Sequence, residues 1–354
     1  MSKGRIVKEF DVHSYVLYMQ DKYSAYDNWV AEQGVPIVSG AFVADAREVP
    51  VAPWKAKGAL GTILQFADQR AADAYVLEIP PEGSTTTQRQ LFEEIVVILE
   101  GNGSTEMWYS DGPRRSFEWQ RGSVFSVPIN AFHAHHNGSG QNRVRYVALT
   151  SAPPVIEAFR DLSFVFDNDH VFVDRFDAQD PAFFDKPDEY LTDYYGGILD
   201  SNFISDIRKV RLVPREKRGT GNKNMYIHIA GSTMFAHVSR FPVGTYKKAH
   251  RHGPGAHIVM LDSTGYTMMW KGEDEEPVRY DWAEGSVISP AAGMWHQHYN
   301  TGTEPCKFVA LHASVAFSGD GGGDVEQLEG SVLNEDLAEL YRSECAKNGV
   351  EVSV

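Results

Sequence analysis

The sequence repeats itself. The segment SFEWQRGSVFSVPINAFHAHHN (116–137) returns 163 positions later as RYDWAEGSVISPAAGMWHQHYN (279–300). Trp119, Gly122, Ser123, Val124, Ser126, His133, His135 and Asn137 recur as Trp282, Gly285, Ser286, Val287, Ser289, His296, His298 and Asn300. RYVAL (145–149) recurs as KFVAL (307–311), EMW (106–108) as MMW (268–270), and FVADAREVPV (42–51) as FISDIRKVRL (203–212). Ordered blocks spread over about a hundred residues per copy mark the duplication of a whole domain. A chain of 354 residues has the length for two such cores.

Each copy reads as all-β. Short apolar segments such as AYVLEIPPEGS, EEIVVILEGNG and RYVALTSA alternate with Gly, Pro, Asn and Asp turns, and MFAHVSRFPVGT, AHIVMLDSTG and KFVALHAS do the same in the second copy. That spacing predicts sandwiches or barrels. The expected division is an N-terminal arm (1–40), a first barrel (41–165), a connecting segment (166–200), a second barrel (201–317) and a Gly-rich tail with a C-terminal helix (318–354). PPVIEAFRDL predicts a short helix at the junction. NEDLAELYRSECAKNG predicts the terminal helix, with Asn334 as its N-cap and Gly349 as its stop.

The net charge of −15 makes nucleic acid and anionic membrane surfaces poor partners. Two cysteines, Cys306 and Cys345, argue against a disulfide framework. MSKGRIVKEF lacks the apolar core of a signal peptide, and no apolar run is longer than a strand. A soluble cytoplasmic protein is the expectation.

The chemistry concentrates in KKAHRHGPGAHIVML (247–261), where His250, His252 and His257 fall together. Alternate strand residues share a face, so His250 and His252 point together, as do His296 and His298. If their strands are neighbours, His250, His252 and His296 converge, and imidazoles suit Fe, Mn, Ni, Cu or Zn. The matching stretch of the first copy, TTTQRQLFEEIVVIL (85–99), carries Gln88 and Gln90 where the second carries His250 and His252. A neutral amide is a weak ligand for such a metal. The first copy then reads as a barrel that has lost its metal. The other reading is that Gln88, Gln90, Glu94 and His133, helped by His135, still hold a metal or a substrate.

Gly244, five residues, His250-Arg251-His252, followed by Gly285, Gly293, His296 and Asn300, resembles the two motifs of the cupins, and Gly122, Pro128, His133 and Asn137 repeat the second motif. The chain is similar to a bicupin: two jelly-roll barrels in one polypeptide, distantly like gentisate-type dioxygenases. The resemblance implies a divalent transition metal, Fe(II) favoured, held by His250, His252, His257 and His296. Assigning His257 places it at the motif's glutamate position, opposite Glu94. That alignment needs a one-residue shift, because at an offset of 162 it is Ile95 that faces His257.

By that analogy the activity is Fe(II)-dependent oxidative cleavage of a C–C bond in a small hydroxylated aromatic or organic acid. The alternatives are non-oxidative chemistry at Mn, Zn or Ni (hydrolysis, isomerisation or decarboxylation), and a non-catalytic binding bicupin. His298 and Arg240 are the catalytic candidates, with His298 equally readable as core, and His312 less certain. Met268, Trp270 and Trp282 read as core and Trp295 as core or pocket wall. The expected partners are a small anionic or hydroxylated substrate and further copies of the same chain, in a homo-oligomer.

Overall fold

The computed structural model describes residues 14, 24–66, 71–110, 112–192, 197–253, 256–272, 275–314, 325–328 and 335–353. The Gly-rich stretch 318–324 and the proposed N-cap Asn334 lie outside these residues. Each copy forms a large sheet facing a small one. In the first, Ala59–Phe66, Asp73–Ile79, Val144–Thr150, Glu94–Glu100 and Val124–Val127 are successive neighbours, opposite Phe132–Asn137, Asn102–Trp108 and Arg115–Gln120. In the second, Lys223–Ile229, Phe235–Phe241, Cys306–His312, Ala256–Met260 and Val287–Ile288 are neighbours. They oppose Val278–Ala283, Thr264–Trp270, Trp295–Asn300 and His250–Arg251. This is the tandem jelly-roll arrangement that the resemblance to bicupins implies.

The recurring upstream block explains how the two barrels join. Phe42–Val43, in the first copy, pairs antiparallel with Val287–Ile288 of the second barrel. Phe203–Ile204, in the second copy, pairs with Val124 and Phe125 of the first. Each copy therefore completes the other's sheet, and the boundary between copies in sequence is not a boundary in space. The Asp-x-Arg of each block fixes the exchange. Asp45 binds Arg47, whose guanidinium donates to the Glu284 carbonyl, and Asp206 binds Arg208, which donates to the Arg121 carbonyl. The turns they grip hold Gly285 and Gly122 at φ of 90° and 89°, a region open to glycine and strained for other residues.

Helices Ala152–Phe159 and Leu162–Phe166 follow the first barrel. The C-terminal helix, Glu335–Lys347, lays Leu337, Tyr341 and Cys345 on Tyr246, Tyr266, Met268, Trp270 and Tyr299, covering the outer face of the second barrel's small sheet. Its end lies at Gly349, at φ 68°. Among the described residues no helix is long and apolar enough to cross a membrane.

Candidate metal centre

The site begins with strand pairing. His250 lies opposite His296 across the antiparallel pair His250–Arg251 and Trp295–Asn300. His252 lies on the same face two residues on. The ring centroids are 4.2 Å apart for His250 and His296, 5.1 Å for His252 and His296, and 5.8 Å for His250 and His252. One nitrogen from each lies within 4.8 Å of the others. Among the described residues this is the one cluster of metal-ligating side chains.

The hydrogen bonds behind the rings set which nitrogen faces the cluster. His250 Nδ1 lies 2.8 Å from the Lys248 carbonyl oxygen, and His296 Nδ1 lies 3.0 Å from that of Met294. A carbonyl can only accept, so each Nδ1 carries its hydrogen and each Nε2 keeps its lone pair. Burial also holds both imidazoles well below their usual pKa, and neighbouring histidines add to this. Neutral rings with converging lone pairs are the donor set a borderline divalent metal takes.

His257 is not part of the cluster. The ladders settle its register: Val97 pairs with Val147 as Val259 pairs with Val309, and Ile95 pairs with Leu149 as His257 pairs with Leu311. Glu94 is thus the counterpart of Ala256, and no residue is gained or lost between them. His257 follows the odd-numbered side chains Val259 and Leu261 away from the barrel interior. There it meets Phe66 of the first barrel, with ring centroids 5.5 Å apart. It is 1% exposed, neither nitrogen has a hydrogen-bond partner, and burial pushes its pKa down to about 3. The glutamate position of the motif is filled by the methyl group of Ala256.

Neither catalytic candidate is one of the three clustered imidazoles. His298 faces inward beneath the cluster, its Nδ1 2.8 Å from Thr267 Oγ1, which accepts from Trp282 Nε1 at 3.1 Å. The first barrel repeats this arrangement with His135, Thr105 and Trp119, at 2.8 Å for both contacts. The network is thus present in both barrels. Arg240 alternates with Ser239 and Phe241 on Phe235–Phe241 and faces away from the cavity, towards Lys307 and Asp262. Trp295 stacks on Trp270 on the outer face, with Arg251 over it at 4.8 Å.

The cluster opens into a cavity of about 210 Å³ that sequence reasoning had only partly assembled. Arg215, Arg218 and Lys247 line it, as do Tyr226, His237 and His312. Carboxylate side chains are absent from its described walls. Lys247 is 5% exposed, donates to Ser239 Oγ at 3.0 Å and sits 4.7 Å from the Phe308 ring. Burial, with Arg218 nearby, pushes its pKa down to about 7. His237 Nδ1 and His312 Nε2 are 2.8 Å apart, so a single proton lies between them. The signal for His237 was available, since it sits on the strand before the motif at the position of Tyr75. Arg215 and Arg218 come from a 3-10 turn that no motif marks.

In the first barrel Gln88 pairs with His133 as His250 does with His296. The space between them is entered by Lys57, whose Nζ donates to Gln88 Oε1 at 3.0 Å and lies 3.5 Å from Glu94 Oε1. Lys57, a residue the sequence reading passed over, thus sets a cationic side chain beside Glu94.

Fold and site together define a bicupin fold with a three-histidine cluster in the second barrel. No protein-family model matches the chain, and no curated protein matches it. Solved structures do. The chain is similar to an oxalate decarboxylase of Lactobacillus farciminis in complex with formate, at 12% identity and TM-score 0.52 over 85% of this chain and 91% of that one. It is similar to an oxalate decarboxylase variant of Bacillus subtilis at 11% identity and TM-score 0.53, over 86% and 84%. It is also similar to tomato (Solanum lycopersicum) vicilin, at 13% identity and TM-score 0.50 over 84% and 92%. At such identities the likeness is one of fold, and it spans both barrels.

Proposed function

We propose that the second barrel is the catalytic one. It would hold a divalent transition metal on His250, His252 and His296 and act non-oxidatively on a small organic acid. The observation that carries this reading is the pairing of three clustered imidazoles with a cavity walled by Arg215, Arg218 and Lys247 and, among the described residues, by no carboxylate. The metal, when bound, supplies a Lewis acid that polarises a substrate oxygen.

The residues of the chain do the rest. Arg218 and Arg215 bind and orient the substrate carboxylate, and a guanidinium fork matches a carboxylate's two oxygens. Ala256 leaves the inner side of the cluster free of a competing carboxylate ligand. Lys247 Nζ, held by Ser239, gives or takes a proton at the substrate. The shared proton of His237 and His312 keeps both rings fixed at the cavity wall. Decarboxylation is the leading reaction class, because a bound carboxylate beside a Lewis acid is what it requires. Oxalate, named for two of the similar structures, is the first substrate to try.

Oxidative cleavage at Fe(II), the expectation from gentisate-type enzymes, has no observation here that favours it. The test is turnover of the metal-reconstituted protein with oxalate and related dicarboxylates and 2-oxo acids, following carbon dioxide and dissolved oxygen together. Metal-dependent release of carbon dioxide without net oxygen uptake supports the proposal. Substrate-dependent oxygen uptake would restore the dioxygenase reading. Metal binding with neither would leave a binding protein. Self-assembly is part of the same proposal, supported by the exposed Phe159, Leu162 and Phe164, and light scattering on the purified protein tests it.

A further inference from the structure

The first barrel, which shows no metal-ligating cluster among the described residues, is not filled in. Its interior holds a cavity of about 600 Å³, nearly three times the volume beside the histidine cluster, and within the range of small-molecule sites, roughly 300–1,000 Å³. Trp29, Trp54, Phe132 and Phe166 supply apolar walls. Trp29 and Phe166 stack at 5.9 Å and help to fix that side.

The polar groups at its floor are specific. Lys57 Nζ has three acceptors, Gln88 Oε1 at 3.0 Å, Tyr75 Oη at 3.2 Å and Glu94 Oε1 at 3.5 Å. An ammonium has three hydrogens, so Lys57 is satisfied. Glu94 is not. It is 1% exposed, it lines the cavity, and its Oε2 has no hydrogen-bond partner. A buried carboxylate oxygen without a donor is costly, and such atoms are rare unless something binds them.

The charge in the walls points the same way. Glu32, Glu94 and Asp167 line it with Lys57 and Arg89, whereas the second cavity has cations and, among the described residues, no carboxylate. The two barrels are therefore built for ligands of opposite character.

We infer that the first barrel is a second, metal-independent ligand site, taking a small molecule with an aromatic or flat apolar body and a terminal hydrogen-bond donor, ammonium or hydroxyl, that reaches Glu94 Oε2. The apolar body lies between Trp29, Trp54, Phe132 and Phe166. This site stands on residues apart from the histidine cluster and does not depend on the reaction proposed there.

The test is calorimetric titration of the full-length, metal-loaded protein with benzylamine, phenol and benzoate, repeated after chelation. Benzylamine or phenol should bind one per chain, at least tenfold more tightly than benzoate, with the affinity unchanged by chelation. Glu94→Gln should weaken that binding about tenfold or more, the loss expected for a hydrogen bond to a charged group. Thr87→Trp, which fills the exposed rim of the cavity and touches none of the buried groups, should abolish it, so the test stands even if Glu94→Gln fails to fold. Failure of benzylamine and phenol to saturate, equal binding of benzoate at a site that Thr87→Trp abolishes, benzylamine or phenol binding that survives Thr87→Trp, or binding of these two lost on chelation would each overturn the inference.

Discussion

Replacing His257 by leucine should stabilise the protein and leave its metal in place. The imidazole is 1% exposed, packs on Phe66 between the barrels, and presents a donor and an acceptor with no partner for either. Leaving a buried polar group unsatisfied costs about 1–3 kcal/mol. Leucine is of similar size and belongs with Val259, Leu261 and Leu311 in the same apolar cluster. A gain of about 1–3 kcal/mol at pH 7 follows, or a rise in Tm of roughly 2–4 °C per kcal/mol.

The gain has a pH signature. The folded pKa is about 3, and the unfolded ring titrates near its model value of 6.5. Below 6.5 the unfolded chain binds a proton that the folded one refuses, so His257 destabilises the native state increasingly as pH falls towards 3. By pH 5 this amounts to about 2 kcal/mol. The assay is a thermal melt of wild type and His257→Leu at pH 7, 6 and 5, with metal content measured on the same samples. A Tm gap that widens towards pH 5 at unchanged metal content is expected. A variant that loses its metal, or melts lower at every pH, refutes the register that places His257 outside the cluster.

Three further substitutions separate the roles assigned above. Arg218→Ala should weaken binding of a carboxylate probe such as oxalate by about 10–100-fold, the range for charge-assisted hydrogen bonds, without changing metal stoichiometry, as read by calorimetry and elemental analysis. Thr267→Val removes the partner of both His298 and Trp282 and should cost about 1–3 kcal/mol for each buried group left unpaired, seen in denaturant unfolding, again with metal retained. Glu93 is 4% exposed and joins the barrels by accepting from the Thr233 amide at 3.0 and 3.2 Å, from the Thr233 hydroxyl and from Arg175. Glu93→Gln should cost about 3–5 kcal/mol in the same experiment because it strands a part-buried guanidinium.

Much of this molecule was legible in its sequence. The recurrence of Trp119, Gly122 and His133 as Trp282, Gly285 and His296 announced two like barrels, and strand alternation placed His250, His252 and His296 on converging faces. What failed to read was register. One residue decides whether His257 or Ala256 occupies the glutamate position, and a one-residue slip turns a side chain to the opposite face of a sheet. Only the hydrogen-bonded ladder through Val259 and Val309 fixes it.

Long-range placement was equally hidden. Lys57 reaches Glu94 from far upstream, Arg218 enters the cavity from a turn without a motif, and Phe42–Val43 pairs with the other barrel. Each depends on chain closure that no local pattern encodes. His298 shows the converse: its chemistry invited a catalytic role, and the structure binds it to Thr267 as its duplicate His135 is bound to Thr105.

The proposed centre holds a single metal on three histidines of the second barrel. Elemental analysis of the anaerobically purified protein, alongside His250→Ala, His252→Ala, His296→Ala, His133→Ala and His257→Leu, tests it most directly. One metal per chain in the wild type, retained by His133→Ala and His257→Leu and lost from the other three, is the predicted result. Metal retained by folded His296→Ala protein, or lost from His133→Ala, would contradict the account.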